Sequence, residues 1–103
     1  NNNSSEALPD MGIRVSELNA ELMREFDLEN GTEGVVVTGV KRGSEAANTL
    51  RPGDVIIKIG SESVSNLQEY EAAVRKAQAE KRDVVLVRFI RGEYAMYGTL
   101  KIE

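Results

Sequence analysis

Glu17, Glu21 and Glu25 recur at intervals of four, the spacing that stacks side chains along one helical face. Carboxylates so placed could act as an acid–base pair. That chemistry needs an apolar pocket to raise one pKa, and the neighbouring residues supply none. The three glutamates therefore read as a solvated face. Serines are scattered through the chain, but a nucleophilic serine needs a base, and the 103 residues contain neither His nor Cys. A Ser-His-Asp triad, a Cys-His dyad and the usual zinc ligand sets are impossible within this chain. No catalytic residue, metal or cofactor is expected. A hydrolytic reading of the chain alone is set aside in favour of recognition.

The most informative run is residues 50–60, LRPGDVIIKIG. Pro52 fixes φ at the first central position of a tight turn, and Gly53 accepts the positive φ of the second. Asp54 follows and is expected to anchor that turn or a sheet connection. Val55, Ile56, Ile57 and Ile59, interrupted once by Lys58, then favour a strand.

Other elements must position this run. Residues 12–18 alternate, with Ile13, Val15 and Glu17 on one face and Arg14 and Ser16 on the other. A contacting face that ends in a charge suits a strand at a sheet edge. Residues 19–26 read as a short helix capped by Asn19, with Leu18, Leu22 and Phe26 on one side. Residues 34–40 are nearly all β-branched, which predicts a strand buried on both faces. Residues 41–49 form a loop with one helical turn at 45–47, and residues 61–64 a hairpin turn with a brief strand end. The strongest helix spans 66–79. Asn66 or Ser65 caps it, Glu69 sits where a capping-box acid belongs, and Leu67, Tyr70, Ala73, Val74 and Ala77 make the apolar stripe. Residues 83–90 and 94–102 are strands joined by a tight turn at 91–93. This order predicts an α+β domain, a small curled and mostly antiparallel sheet with two helices closing its openings. Residues 1–8 read as a disordered tail or linker and residues 9–103 as a single domain.

Charge narrows the partners. The net charge is −4, and the longest basic runs are Lys41-Arg42 and Lys81-Arg82. Nucleic acid and anionic membranes reward a basic stripe, so neither is expected as a partner. No apolar run approaches the roughly 20 residues that span a bilayer, so membrane insertion is not expected. No basic-then-apolar leader pattern is present in these residues.

Several of these pieces together resemble a PDZ domain: Met11-Gly12-Ile13, residues 18–28, residues 34–40, Gly43-Ser44 with Ala46-Ala47, residues 50–59, Val64-Ser65-Asn66, and residues 88–92. The likeness is to the permuted bacterial arrangement, in which the peptide-binding strand comes first. More specifically, it is to the PDZ domains of HtrA-type (Do-like) serine proteases, and the position of the last strand suggests the C-terminal copy of two. Residues 50–57 carry the most specific part, which also recurs in PDZ domains of other proteases. Three departures stand out. Glu45 occupies the family's proline position, Asn48-Thr49 replaces Ala-Gly, and residues 1–10 contain Asp10 but no Lys or Arg. The last departure implies weak carboxylate capture.

The resemblance implies a PDZ fold, a β-sandwich or partly open barrel of five to six strands capped by two helices. It implies that a peptide C-terminus adds as a strand beside a helix. The amides of Met11, Gly12 and Ile13 would hold the carboxylate. Met11, Ile13 and Val74 would line an apolar hole, and Val15, Leu67, Glu71 and Val74 would line the groove. On residue type alone Met11, Ile13 and Val74 read equally as core, and Glu71 as a solvated helix charge. An apolar anchor worth roughly 1.5–3 kcal/mol and a few main-chain hydrogen bonds, set against the association cost, give an affinity of roughly micromolar to tens of micromolar. The implied partners are peptide or protein C-termini, together with the protease domain and sibling PDZ domain of a homo-oligomeric parent. The implied setting is the periplasm or another extracytoplasmic space, and the implied task is substrate recognition or regulation in protein quality control. The alternative is a domain that docks neighbouring domains or subunits.

Overall fold

The computed structural model describes residues 11–29 and 31–102, so the tail expected at residues 1–8, and Asp10, lie outside the described residues. The elements follow the chain as β1 (Ile13–Glu17), α1 (Ala20–Glu25), β2 (Val35–Val40), a 3-10 turn (Glu45–Asn48), β3 (Val55–Ile59), β4 (Glu62–Ser63), α2 (Leu67–Ala79), β5 (Val84–Arg91) and β6 (Tyr94–Lys101). All strand pairings are antiparallel, and the sheet runs β1-β2-β3-β5-β6 with β4 paired to β3. The sheet is not closed, which places β1 at one edge and β6 at the other.

Local chemistry accounts for the element boundaries. Asn19 caps α1 by accepting the Leu22 N–H at 2.8 Å, and Asn66 caps α2 by accepting the Glu69 N–H at 2.9 Å. Glu69 completes the capping box by accepting the Ser65 N–H at 2.8 Å. Of the two candidate caps for the long helix, Asn66 is the one used. Gly53 has φ +99, and Asp54 N–H returns to Arg51 C=O at 3.1 Å, the four-residue turn that the Pro-Gly pair demands. A side chain on Gly53 would also press on the Phe26 ring at the end of α1.

Apolar burial then assembles the layers. Val35, Val36 and Val37 are all fully buried, as a strand covered on both faces requires. One continuous core joins Val35, Val37, Ile56, Ile59, Val87, Phe89 and Leu100 of the sheet to Tyr70, Ala73, Val74 and Ala77 of α2.

Asp54 is the only buried charged residue among those described. Its Oδ2 accepts the Arg51 N–H at 2.9 Å and an Arg91 guanidinium N–H at 2.8 Å, while Oδ1 accepts the Arg91 Nε–H at 2.9 Å. Arg91 also donates to Thr49 C=O at 3.1 Å. A bidentate pair with every nearby acceptor used is the geometry in which a buried charge is tolerated. It ties the turn before β3 to the end of β5. The hydrogen bonds that Asp54 accepts from Arg91 raise the guanidinium pKa further. Asp54→Asn is expected to lose about 3 kcal/mol in urea unfolding, because the amide cannot satisfy both guanidinium donors. A loss below about 0.5 kcal/mol would show the pair to be dispensable.

Burial of Tyr70, reinforced by the Glu71 carboxylate beside it, pushes the phenol pKa well above its usual value. The unfolded chain releases that proton near pH 10, whereas the folded one holds it. Stability is therefore fully present below about pH 10 and falls as pH rises beyond it. Tyr70→Phe is expected to flatten the alkaline limb of a stability-versus-pH series, and an unchanged slope in the variant would contradict the burial argument.

Candidate functional site

Hydrogen-bond parity defines the outer edge of β1. Ile13 lies opposite Val40, and the flanking bond runs from Lys41 N–H to Gly12 C=O at 2.8 Å. Such a residue pair is of the non-hydrogen-bonded kind, in which each residue directs its own N–H and C=O away from the partner strand. Val15 lies opposite Val37 after a bulge between Arg14 and Val15. Val37 donates to Asp54 C=O at 2.8 Å and accepts from Gly53 N–H at 2.7 Å, so both of its backbone groups serve the turn on its far side. The backbone groups of Ile13 and Val15 thus face outward, along the edge that runs beside α2.

The side chains follow the same alternation. Ile13 and Val15 are half-buried and pack against the core, as does Leu67 at the start of α2. Glu71, one turn further along α2, is partly exposed. The seam where β1 meets α2, the candidate cleft, is thus flanked by three apolar side chains and one acidic one. Met11 and Val74 sit deeper, at 6 % and 1 % exposure, within the packed core. The structure therefore brings all seven sequence-selected residues to one region but divides them: Met11 and Val74 form the floor, and Ile13, Val15, Leu67 and Glu71 the accessible walls.

Gly12 makes the bend at the head of the cleft. It has φ +81, and a Cβ there would lie 2.8 Å from Ser44 Oγ. Both the dihedral and the contact exclude other residues without rearrangement. Ser44 Oγ donates to Lys41 C=O at 2.7 Å within the loop after β2, and the Lys41 N–H bond to Gly12 C=O joins that loop to the bend.

Two features were missed from sequence. Glu17 does not lie on a solvated helical face with Glu21 and Glu25. It ends β1, and its Oε1 accepts the Leu67 N–H at 3.0 Å, which places a carboxylate at the N-terminus of α2 and joins the two walls at the far end of the cleft. No local signal connects residues 50 positions apart. At the other end, the space beside Gly12 is lined by Lys41, Arg42 and Lys101 with Glu45. These basic residues come from the loop after β2 and from β6. Only the Lys41-Arg42 pair was visible in the sequence, without its location.

Comparison with known proteins agrees with this geometry. The PDZ domain family model matches residues 3–87. A probable periplasmic serine endoprotease, DegP-like, of Chlamydia muridarum is 32 % identical over 96 residues, covering 92 % of this chain and 19 % of that protein. Its counterpart in Pseudomonas fluorescens is 34 % identical over 92 residues, covering 89 % and 18 %. The chain thus spans about a fifth of the length of these curated relatives. Among solved structures, the HtrA-type protease AlgW with a decapeptide superposes with a TM-score of 0.75 at 28 % identity, covering 92 % of this chain and 29 % of that one. The HtrA3 PDZ domain bound to a phage-derived ligand (FGRWV) shares the fold, with a TM-score of 0.70 at 22 % identity over 90 % of this chain and 84 % of that one. An open six-stranded antiparallel sheet, two capped helices and these matches lead to one conclusion: the chain belongs to the PDZ domain family, matching the PDZ region of DegP-like, HtrA-type serine proteases.

Proposed function

We propose that this domain is a peptide receptor that takes an extended segment as an extra antiparallel strand on β1, with the peptide's C-terminal carboxylate at the bend of Met11, Gly12 and Ile13. The outward-facing backbone groups of Ile13 and Val15 beside α2 are the observation that carries this reading. Strand addition uses main-chain bonds for affinity and side-chain pockets for choice. Ile13, Val15 and Leu67 supply apolar contacts, and Glu71 faces a more distant ligand residue. The hole beneath the terminal side chain is filled by Met11 and Val74, so an apolar end group enters only as one of them yields. Met11, unbranched and flexible, is the one suited to move. In a parent protease the domain would present exposed C-termini of damaged or cleaved proteins to a catalytic domain, in the periplasmic setting that the relatives' names carry. Low affinity per domain would be offset by avidity in an oligomer.

A titration with fluorescent peptides tests this. Peptides ending in free Val, Leu, Ile or Phe are expected to bind in roughly the micromolar to tens-of-micromolar range, and their amidated forms several-fold more weakly. Ile13→Asp is expected to abolish binding while thermal unfolding remains cooperative. Gly12→Val is a poorer probe, because it strains the backbone and collides with Ser44 in the free domain. Equal affinity for acid and amide ends would remove the carboxylate from the reading.

A second reading, inter-domain docking, is favoured by the outer face of β5 and β6. Val84, Leu86 and Tyr97 are 51 %, 49 % and 62 % exposed there, and the Arg88 guanidinium stacks over the Tyr97 ring at 5.4 Å. The register aligns Leu86 with Thr99 and Arg88 with Tyr97, which makes the strip continuous. Large exposed apolar residues side by side mark contact surfaces. In this reading the occupant is another domain of the same parent. Leu86→Glu is expected to alter the sedimentation profile of the parent protease while leaving peptide affinity of the isolated domain unchanged; an unaltered profile would reject docking.

A further inference from the structure

Some apolar side chains of the sheet are not used by the main core. Ile56, Ile59 and Phe89 belong to that core, whereas Leu28, Ile57 and Ile90 do not, although each is half-buried. Alternation turns Ile90 to the face opposite Phe89, and its partner Val55 to the face opposite Ile56. A bulge accounts for Ile57: the register of β3 against β5 passes from Ile56 to Lys58 and leaves Ile57 as the extra residue. These four apolar residues line one cleft of about 970 Å³, a size ordinary for a binding pocket. Its rim is acidic. Asp27 and Glu29 follow α1, Glu33 precedes β2, and Glu93 lies in the turn between β5 and β6. All four are exposed, no ion pair among the described residues engages them, and no Lys or Arg lines the cleft. The adjacent Arg91 is committed to Asp54 and to Thr49 C=O. Hydrogen bonds hold the rim in place: Leu28 N–H donates to Met23 C=O at 2.7 Å, and the Thr32 hydroxyl donates to Glu29 C=O at 2.6 Å.

We propose that this cleft is a second docking site, separate from the groove beside β1, for a cationic segment of another polypeptide: aliphatic side chains flanked by Lys or Arg. Charge complementarity selects this occupant. The branched floor takes an aliphatic anchor, and the four rim carboxylates meet the flanking cations, whose methylene stems cover the apolar edge between them. Other occupants match the cleft less well. Among the described residues no group of three or more carboxylates is arranged to hold a metal ion, so the rim spreads its charge instead of focusing it on one cation. A polyamine would meet the rim and leave the floor wet. A second copy of this chain carries a net charge of −4 and is repelled. None of the residues that line this cleft belongs to the groove set, so the two sites fill independently.

Amide chemical-shift mapping of the full chain tests the site. The probe is a short peptide with a central Leu-Leu pair flanked by lysines, acetylated and amidated so that it offers no terminal carboxylate to the groove. Shifts are expected at residues 27–33, 57, 90 and 93, and none at Ile13 or Val15. Replacing the Leu-Leu pair with Ser-Ser is expected to weaken binding by about tenfold, and replacing the lysines with glutamates to abolish it. Neither change touches the protein. On the protein side, Glu33→Lys with Glu93→Lys is expected to cost about tenfold in affinity at low salt, a gap that closes at about 0.5 M salt. Glu33→Gln with Glu93→Gln is expected to give a smaller loss of the same sign. Spermidine and calcium at the peptide's concentration are expected not to displace it. Displacement by either, or equal binding of the Ser-Ser peptide, overturns the anchored segment and leaves a simple cation site. Shifts confined to β1 and α2 overturn the second site altogether. Concentration-dependent shifts at the same amides without peptide assign the cleft to a second copy and overturn the proposal. Binding of free-acid peptides at β1 is unaffected by every one of these results, so the groove reading stands or falls separately.

Discussion

Backbone hydrogen-bond parity governs this domain. An antiparallel strand alternates the side to which each residue offers its N–H and C=O, so pairing one edge commits half of its groups and leaves the other half for a second neighbour. β2 satisfies both edges, using β1 on one side and, on the other, β3 with the turn that precedes it. β1 satisfies only one. The fully buried valines of β2 hold it centrally, and the Asp54–Arg91 pair pins the turn that occupies Val37. The outward direction of Ile13 and Val15 therefore depends on residues far from the groove. Anything that shifted the 53–54 turn would change which groups β1 presents.

Local order was legible in the sequence because local chemistry fixes it. The Pro52-Gly53 turn, the Asn19 and Asn66 caps, the Glu69 capping box, the buried run at 35–37 and the edge position of the first strand all follow from short-range steric and hydrogen-bonding rules. The family likeness selected seven residues for a groove by position, and the structure places them around β1, the bend before it and α2. Their depth was not legible. Met11 and Val74 look the same in sequence whether they line a hole or fill it, and only the packing of α2 on the sheet decides.

Long-range pairings were the other blind spot. Asp54 was recognisable as a turn anchor, but its partner Arg91 lies 37 residues away and reads locally as part of a tight turn. Glu17 was placed among solvated carboxylates because its spacing to Glu21 and Glu25 mimics a helix, whereas the strand ends at Glu17 and the helix starts at Ala20. Its contact with Leu67 spans 50 residues. The basic residues beside Gly12 come from the loop after β2 and from the end of β6, and the β5–β6 hairpin is what returns Lys101 to that neighbourhood.

The carboxylate of Glu17 on the Leu67 amide has a consequence for how much text this domain could read. Between that closure and the Gly12 bend, the edge offers five residues of strand, about 16 Å, and only alternate positions face outward. A tail threaded there would be sampled over a handful of letters, most of them judged on greasiness alone. So short a vocabulary carries little information about which protein the tail came from, and it suits a clientele defined by condition rather than by identity.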